Sequence, residues 1–234
     1  MIGIRALGAY LPAQRIANRD RLEKFAISEE FIEQRIGMRR LAVCAPGEGT
    51  TALGVRAFEA LADHARFDRA AVQALIVVTQ NPDRNIPHAS AEMHGRLGLG
   101  EGCACFDISL GCSGYVYALS VASAFMEANG MELGVLVTAD PYSRILDPED
   151  KNTCLLFGDG ASATLLGRDP AFALGKFTFG TAGKQAGELA CDAGRLYMNG
   201  RAVFNFAAKY VPLDVAEALR RNGVRAQDID VFVF

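Results

Sequence analysis

Short, unbroken apolar runs alternate with stretches of helical periodicity along most of the chain. The runs at residues 75–78 and 133–139 contain no charged residue and are typical of strands that are covered on both faces of a sheet. Residues 2–11 are another predicted strand, residues 88–97 are a predicted helix, and two further strand-like runs flank the Gly-Asp-Gly sequence at 158–160. This alternation predicts an α/β protein in which helices cover both faces of a largely parallel sheet.

Hydroxyl residues mark the starts of two predicted helices. Residues 18–25 and 28–36 have helical patterns, and Ser28 is placed to cap the second of them. Thr50 or Thr51 is the predicted cap of the next helix.

The stretch 105–115 combines a strand, a turn flanked by glycine and the start of a helix. An apolar run ends at Gly111, and a helical pattern opens immediately after Cys112. Because no charged residue occurs from Ile108 to Met126, we expect this helix to be buried on nearly every face. A cysteine at a helix N-terminus is a candidate nucleophile, since the helix dipole and the free N–H groups favour the thiolate. The alternative is that Cys112 is a small core residue, as most unpaired buried cysteines are.

Composition excludes several classes of function. A formal net charge of −3, from 24 basic and 27 acidic residues, gives no argument for binding to nucleic acid or to a membrane. The six cysteines, at positions 44, 103, 105, 112, 154 and 191, have no metal-ligand spacing, so no metal site is predicted. The N-terminus lacks the pattern of a signal peptide, and reduced thiols in a cytoplasmic protein are the simplest interpretation.

One structural plan occurs twice in the sequence. A helix, a short loop and an apolar strand are predicted at residues 51–78 and again at 204–234, where Leu75 corresponds to Val231. The first copy continues through the Cys112 turn to about Gly167, whereas the second copy stops at its strand. The repeat predicts a first half at residues 1–167 and an incomplete second half at residues 168–234.

Five ordered motifs carry a family resemblance. They are residues 28–39, Cys112-Ser113-Gly114, residues 147–153 (Asp-Pro-Glu-Asp-Lys-Asn-Thr), Phe157-Gly158-Asp159-Gly160 and Met198-Asn199-Gly200-Arg201. In this order they resemble the β-ketoacyl-acyl carrier protein synthase III family of the thiolase-like condensing enzymes, over essentially the whole chain. The resemblance implies a layered α/β/α/β/α fold made of two similar halves, of which the first is complete here and the second is not.

The resemblance also implies a reaction in two stages. An acyl group passes from coenzyme A to the cysteine that matches Cys112, and malonyl-acyl carrier protein then decarboxylates and attacks the thioester. The family uses a His and an Asn from its second half to hold the developing enolate. No histidine follows His94 here, and the chain stops one residue short of the expected His motif. We therefore expect that the 234 residues alone do not condense.

The substrate-binding residues are likewise implied by the resemblance. Phe31 and Lys151 match the Trp and Arg that hold the adenine of coenzyme A, and Arg35 and Arg201 match positions near the nucleotide or pantetheine. Acyl-CoA is thus the expected substrate, with no permanently bound cofactor. The alternatives are that Phe31 is a core anchor of its helix and that the three basic side chains are ordinary solvated charges.

Four apolar residues match positions that line the family's acyl pocket. They are Ile86, Phe157, Leu189 and Leu196. The resemblance places Ile86 across the interface of a homodimer, although each of the four is also consistent with an ordinary core position. His88 and His94 match no family site and are expected to be surface or capping residues.

Three functions remain open from the sequence. The first is a homodimeric enzyme that condenses an acyl group on Cys112 with malonyl-acyl carrier protein. The second is a relative that passes the acyl group to an alcohol or an amine without decarboxylation. The third is an inactive fragment or partner subunit that needs a second polypeptide.

Overall fold

The structure is a computed structural model, and it describes residues 1–233. The chain divides into two compact units, Met1–Leu174 and Gly175–Phe234. The boundary lies slightly beyond Gly167 because Phe172 still belongs to the first unit. Its backbone exchanges two hydrogen bonds of 3.0 Å with Ile4.

Seven strands build the first unit. They are β1 (Gly3–Tyr10), β2 (Gln14–Ala17), β3 (Arg40–Val43), β4 (Ala74–Val78), β5 (Ala104–Ile108), β6 (Leu133–Pro141) and β7 (Asp159–Gly167). Five of them form one sheet in the order β1-β7-β6-β4-β5, while β2 and β3 form a small antiparallel pair.

The main sheet is mixed, so the prediction of a largely parallel sheet is wrong. Strand β4 runs parallel to β5 and β6, but β7 runs antiparallel to both β6 and β1. Pro141 at the end of β6 lies opposite Asp159 at the start of β7, so the chain re-enters the sheet at the edge where it left. If β7 ran parallel to β6, the connection would have to cross back along the full length of the strand.

Residues 1–233 also form seven α-helices. They are α1 (Leu22–Phe25), α2 (Glu29–Phe31), α3 (Thr50–Ala65), α4 (Ala89–Leu97), α5 (Gly114–Ala128), α6 (Lys151–Cys154) and α7 (Gly200–Asn222). Ser28 caps α2 as predicted, its hydroxyl accepting a hydrogen bond of 3.1 Å from the Phe31 N–H. Across the described helices, none combines the length and the apolar character that a bilayer span requires.

The apolar run before Gly158 is not the predicted strand, because Cys154 ends helix α6 and residues 155–156 form the turn after it. The Asp150 carboxylate accepts hydrogen bonds from the Asn152 N–H at 2.9 Å and from the Thr153 hydroxyl at 2.8 Å. These contacts satisfy the first donors of α6, which is how a cap residue starts a helix. A local cap therefore decides the structure of a run whose hydrophobicity alone favours a strand.

The core of the first unit lies between the sheet and helices α3 and α4. Every residue of β4 is buried, and Leu53, Phe58 and Leu61 of α3 pack with Met93 of α4 against the sheet. Fully burying a Leu, Phe or Met side chain contributes about 1.5–3 kcal/mol. This packing buries β4 in the sheet between β6 and β5.

Helix α5 is buried on one face only, so the prediction of burial on nearly every face is wrong. Ala118, Ala122 and Met126 are buried, whereas Val116 is 47% exposed and Val121 is 42% exposed. The sheet accounts for the buried face, and no other element of the first unit covers the opposite one within the described residues. Helix α5 therefore carries more apolar surface than the first unit buries.

The second unit contains a hairpin and a long helix. Strand β8 (Leu189–Asp192) pairs antiparallel with β9 (Arg195–Met198), and Asn199 then caps α7 by accepting a hydrogen bond of 3.2 Å from the Ala202 N–H. No residue of α7 is fully buried.

The predicted buried strand after α7 is not formed. Val231, Phe232 and Val233 are 72%, 45% and 89% exposed and belong to no strand, and Phe234 lies outside the described residues. A strand needs neighbours that satisfy its backbone groups, and no strand in residues 1–233 pairs with this segment. The repeat is nevertheless visible in its earlier parts, because α7 is followed by a turn of 3₁₀-helix at Ala226–Asp228, as α3 is followed by one at Arg69–Ala71.

The start of α3 is capped from a distant loop and not by a threonine side chain. Asp83 accepts hydrogen bonds from the N–H groups of Thr50 (3.1 Å) and Thr51 (2.9 Å), and Arg144 donates to the same carboxylate at 2.8 Å. Burial alone would raise the pKa of the Asp83 carboxyl, but the bonds from Thr51 and Arg144 outweigh it and lower the pKa. The ionised carboxylate therefore stabilises the folded state.

We expect Asp83→Ala to lower the free energy of unfolding by about 1 kcal/mol, the usual loss for a helix cap. The folded-state pKa is lowered, so the contribution of Asp83 is present above the ordinary value of 3.8 and is lost as the pH falls through the folded-state pKa. Urea unfolding at pH 7 and at successively lower pH measures both effects. Asp63→Ala, at an exposed position of α3, is the matched control. Equal losses in the two variants at pH 7 would contradict this role.

Candidate active site

Cys112 lies on the turn between β5 and α5. The strand ends at Ile108, the helix begins at Gly114, and Ser113 is the N-cap residue without a side-chain cap bond. The turn is closed by a hydrogen bond of 2.8 Å from the Gly114 N–H to the Gly111 carbonyl. Cys112 is exposed, so the alternative of a small core residue is wrong for the structure described.

Two glycines allow this turn to lie close against the neighbouring loop and strand. A Cβ at Gly114 would lie 2.5 Å from a methyl carbon of Val78, at the end of β4. A Cβ at Gly111 would lie 2.4 Å from Oε1 of Gln80, in the loop that follows β4. A larger residue at position 114 would push the turn away from β4, whereas a larger residue at position 111 would displace the end of the Gln80 side chain.

The turn also presents backbone donors. Within residues 1–233, the N–H groups of Cys112 and Ser113 have no hydrogen-bond acceptor in the protein. Both precede the first turn of α5, where the helix dipole favours negative charge. Such N–H groups can stabilise the oxyanion that forms when a thiol attacks a thioester.

Four of the other five cysteines lie in less accessible surroundings. Burial and the Asp159 carboxylate raise the pKa of the Cys44 thiol to about 12, and burial raises the pKa of Cys154. A hydrogen bond between neighbouring thiols raises the pKa of Cys103 and lowers that of Cys105 to about 7, but both are half-buried.

Comparison with known proteins identifies the family. The sequence profile of the 3-oxoacyl-[acyl-carrier-protein] synthase III family matches residues 106–183, which include the Cys112 turn. The β-ketoacyl-[acyl-carrier-protein] synthase III of Paramagnetospirillum magneticum is 34% identical over 241 residues, covering 95% of this chain and 73% of that protein. The chain belongs to the β-ketoacyl-[acyl-carrier-protein] synthase III family.

Solved structures agree with this family and its thiolase-like α/β fold. A crystal structure of a 3-oxoacyl-(acyl-carrier-protein) synthase III at 31% identity has a TM-score of 0.92 and covers 99% of this chain and 77% of its own. The synthase III of Thermus thermophilus, at 36% identity, has a TM-score of 0.88 and covers 97% and 74%. OleA of Xanthomonas campestris, at 15% identity and a TM-score of 0.87, shares the fold.

The residues that match the family's coenzyme A site lie in both units. In the first, Phe31 is half-buried in a small apolar cluster with Leu155, while Arg35 and Lys151 are exposed. Lys151 is the first residue of α6, the helix that supplies Cys154 to the same cluster, so Phe31 and Lys151 lie on elements that meet there. In the second unit, Arg201 is exposed at the start of α7.

The four residues that match the family's acyl pocket are also divided between the units. Phe157 is half-buried and its ring stacks on that of Tyr142, with centroids 5.1 Å apart and planes at 15°. Ile86 is 88% exposed. Leu189 and Leu196 lie on the two strands of the β8-β9 hairpin, and only Leu196 is buried.

The histidines have local partners or surface positions. A ring nitrogen of His94 lies 3.0 Å from the Gly100 carbonyl oxygen, and one of His64 lies 2.9 Å from that of Ala60. His88 is exposed and precedes α4. The expectation of surface or capping roles for His88 and His94 is consistent with these positions.

The sequence analysis missed the polar residues that lie against Gly111 in the Cys112 turn. Gln80 and Tyr142 lie next to Gly111, and Asp140 holds the loop that contains Gln80. A signal was available, because these residues directly follow or end two buried strands, and the carboxyl ends of parallel strands gather at one edge of a sheet.

We expect iodoacetamide at neutral pH to alkylate Cys112 long before Cys44 and Cys154. Cys112 is exposed, whereas Cys154 is buried and Cys44 has a pKa of about 12, so little of either thiol is accessible as thiolate. Peptide mass spectrometry over a time course measures the rates, and exposed Cys191 is the reference for an accessible thiol. In urea the differences should disappear. Folded protein in which Cys44 reacts as fast as Cys112 would contradict the expectation.

Proposed function

We propose that this chain is an acyltransferase of the β-ketoacyl-[acyl-carrier-protein] synthase III type, which takes an acyl group from acyl-CoA onto Cys112. The observation that carries the proposal is the exposed thiol on a glycine-flanked turn beside two open N–H groups, in a chain of this family. The acyl acceptor is malonyl-acyl carrier protein or a similar thioester, in fatty acid or specialised-metabolite synthesis.

The loading step is a thioester exchange. The Cys112 sulfur attacks the thioester carbonyl carbon, and the N–H groups of Cys112 and Ser113 donate to the oxyanion that forms. The carbon–sulfur bond to coenzyme A then breaks, and the cysteine's proton leaves with the thiol of coenzyme A. In condensation, malonyl-acyl carrier protein loses carbon dioxide, and its carbanion attacks the acyl carbon and releases the Cys112 sulfur.

The donor site follows from the same family membership. Phe31 and Lys151 contact the adenine, and Arg35 and Arg201 bind the nucleotide or pantetheine. The partial exposure of Phe31 next to α6 supports a stacking role, since a fully buried ring offers no face to a base. Lysine lacks the planar guanidinium of arginine, so the adenine is held less tightly than by an Arg.

The acyl pocket and the assembly complete the proposal. Ile86, Phe157, Leu189 and Leu196 contact the acyl chain. The enzyme is a cytoplasmic homodimer without a permanently bound cofactor, and the high exposure of Ile86 supports its contribution across the dimer interface.

The histidines of these 234 residues bear on the condensation step. The sequence has three, and none follows His94. Two of them have local backbone partners and the third precedes α4 on the surface. We infer that these 234 residues, tested by themselves, load Cys112 without condensing; transfer of the acyl group to an alcohol or amine is the alternative that needs no enolate donor.

We expect one acetyl group per chain on Cys112 after incubation with acetyl-CoA. Digestion and mass spectrometry locate the adduct, and Cys112→Ala should abolish it because the attacking sulfur is removed. Cys191→Ala, which removes the other exposed thiol, is the control and should acetylate normally. An adduct on another cysteine that survives in Cys112→Ala would contradict the proposal.

The 234-residue protein should make little β-ketoacyl product from acetyl-CoA and malonyl-acyl carrier protein. Loss of one oxyanion-type donor lowers the rate by about 10²–10³-fold. The family's two enolate donors, a His and an Asn, have no counterpart among these 234 residues. Acetyl-Cys112 should accumulate, and its decay on adding a small alcohol or amine would support transfer without decarboxylation. Robust turnover by a soluble, monodisperse sample would overturn this inference while leaving the loading step intact.

A further inference from the structure

The side chain of Gln80 lies against Gly111 in the turn that carries Cys112. Its Oε1 atom lies only 2.4 Å from where a Cβ of Gly111 would be, so the approach exists because residue 111 has no side chain. Gly111 directly precedes Cys112. An amide group thus lies beside the residue that precedes the nucleophile.

The loop that contains Gln80 is fixed by Asp140. One oxygen of this carboxylate accepts hydrogen bonds from the Thr79 hydroxyl (3.0 Å), from the N–H groups of Gln80 (2.9 Å) and Asn81 (3.1 Å), and from the Asn81 amide (3.0 Å). Asp140 itself lies in β6, paired with Gly160 of β7. The sheet therefore determines where the backbone of Gln80 lies.

Tyr142 determines which end of the Gln80 amide remains for a ligand. Its hydroxyl donates to Gln80 Oε1 at 3.0 Å, and its ring is held by the stack on Phe157. The amide oxygen is therefore engaged. The Nε2 group of Gln80 has no acceptor among residues 1–233, and the residue is exposed. What Gln80 offers beside Cys112 is a hydrogen-bond donor.

We propose that Gln80 is a specificity-determining residue that favours acyl groups bearing a hydroxyl or carbonyl oxygen close to the thioester. The inference rests on the proposed loading of Cys112. An oxygen in the acyl group accepts a hydrogen bond from Nε2, whereas a purely apolar chain displaces water from the amide and leaves the donor unsatisfied. Phe157 stacks on Tyr142. These two rings give the apolar part of the acyl group an aromatic surface to contact.

Two thioesters that differ in one group test this preference. In 3-hydroxybutyryl-CoA and 3-methylbutyryl-CoA, a hydroxyl and a methyl group occupy the same position, so their size is matched. The rate at which each acylates Cys112 is measured by intact-protein mass spectrometry, with the hydroxy enantiomers tested separately. We expect the faster hydroxy enantiomer to acylate Cys112 about tenfold faster than the methyl compound. An effect of this size is usual when the loss of one hydrogen bond leaves a donor unsatisfied.

The variants separate an amide donor from a filler of space. Gln80→Met keeps the length without the amide donor, and Gln80→Leu keeps the bulk without polarity, so both should bring the ratio close to one or below. Tyr142→Phe should lower the ratio only partly, because the amide is then free to turn. Gln14→Glu, at an exposed position on β2, is the control and should keep the wild-type ratio.

The outcomes distinguish this inference from the function on which it rests. Acylation of Cys112 by both thioesters at equal rates, or an unchanged preference in both Gln80 variants, would overturn the specificity role and leave the loading step standing. If neither of the two thioesters nor acetyl-CoA acylates Cys112, both the specificity role and the loading step are overturned. A preference that is lost in the Gln80 variants and kept in Gln14→Glu would support the proposal.

Discussion

The parallel pairing of β4 with β5 and β6 is the constraint on which the candidate site depends. Because the three strands point the same way, their carboxyl ends meet at one edge of the sheet, where α/β proteins commonly bind ligands. Cys112 follows β5, Gln80 follows β4, and Tyr142 follows β6. Residues far apart in sequence are brought together by strand direction alone, and the complete burial of β4 anchors that edge.

Acidic residues in the family motifs have structural roles that support this edge. Asp159 is buried and accepts hydrogen bonds from the Cys44 N–H at 2.7 Å and from the N–H and hydroxyl of Ser143 at 2.7 and 2.6 Å. It thereby links the end of β3 to the segment that carries Tyr142. Asp150 starts α6 in a similar way. Both aspartates of these motifs therefore have a structural role in this fold.

The parts of the fold that were predicted correctly depend on local signals. The apolar runs of β4 and β6, the Ser28 cap and the glycines around Cys112 each leave a pattern within a few residues. What was missed depends on distant partners. The antiparallel return of β7 is set by pairing across the sheet, and the hydrogen bond from Tyr142 to Gln80 joins residues 62 positions apart. The segment at 231–233 shows the converse, because within residues 1–233 no neighbouring strand pairs with this apolar run and it forms no strand.

A crystal structure of the protein after incubation with acetyl-CoA would test the account most directly. The central claim is that the β5–α5 turn both carries the nucleophile and supplies the oxyanion donors. The account predicts an acetyl group bonded to Cys112 Sγ, with its carbonyl oxygen within hydrogen-bond distance of the Cys112 or Ser113 N–H. An acetyl group on another residue, or a carbonyl oxygen directed away from both N–H groups, would contradict it.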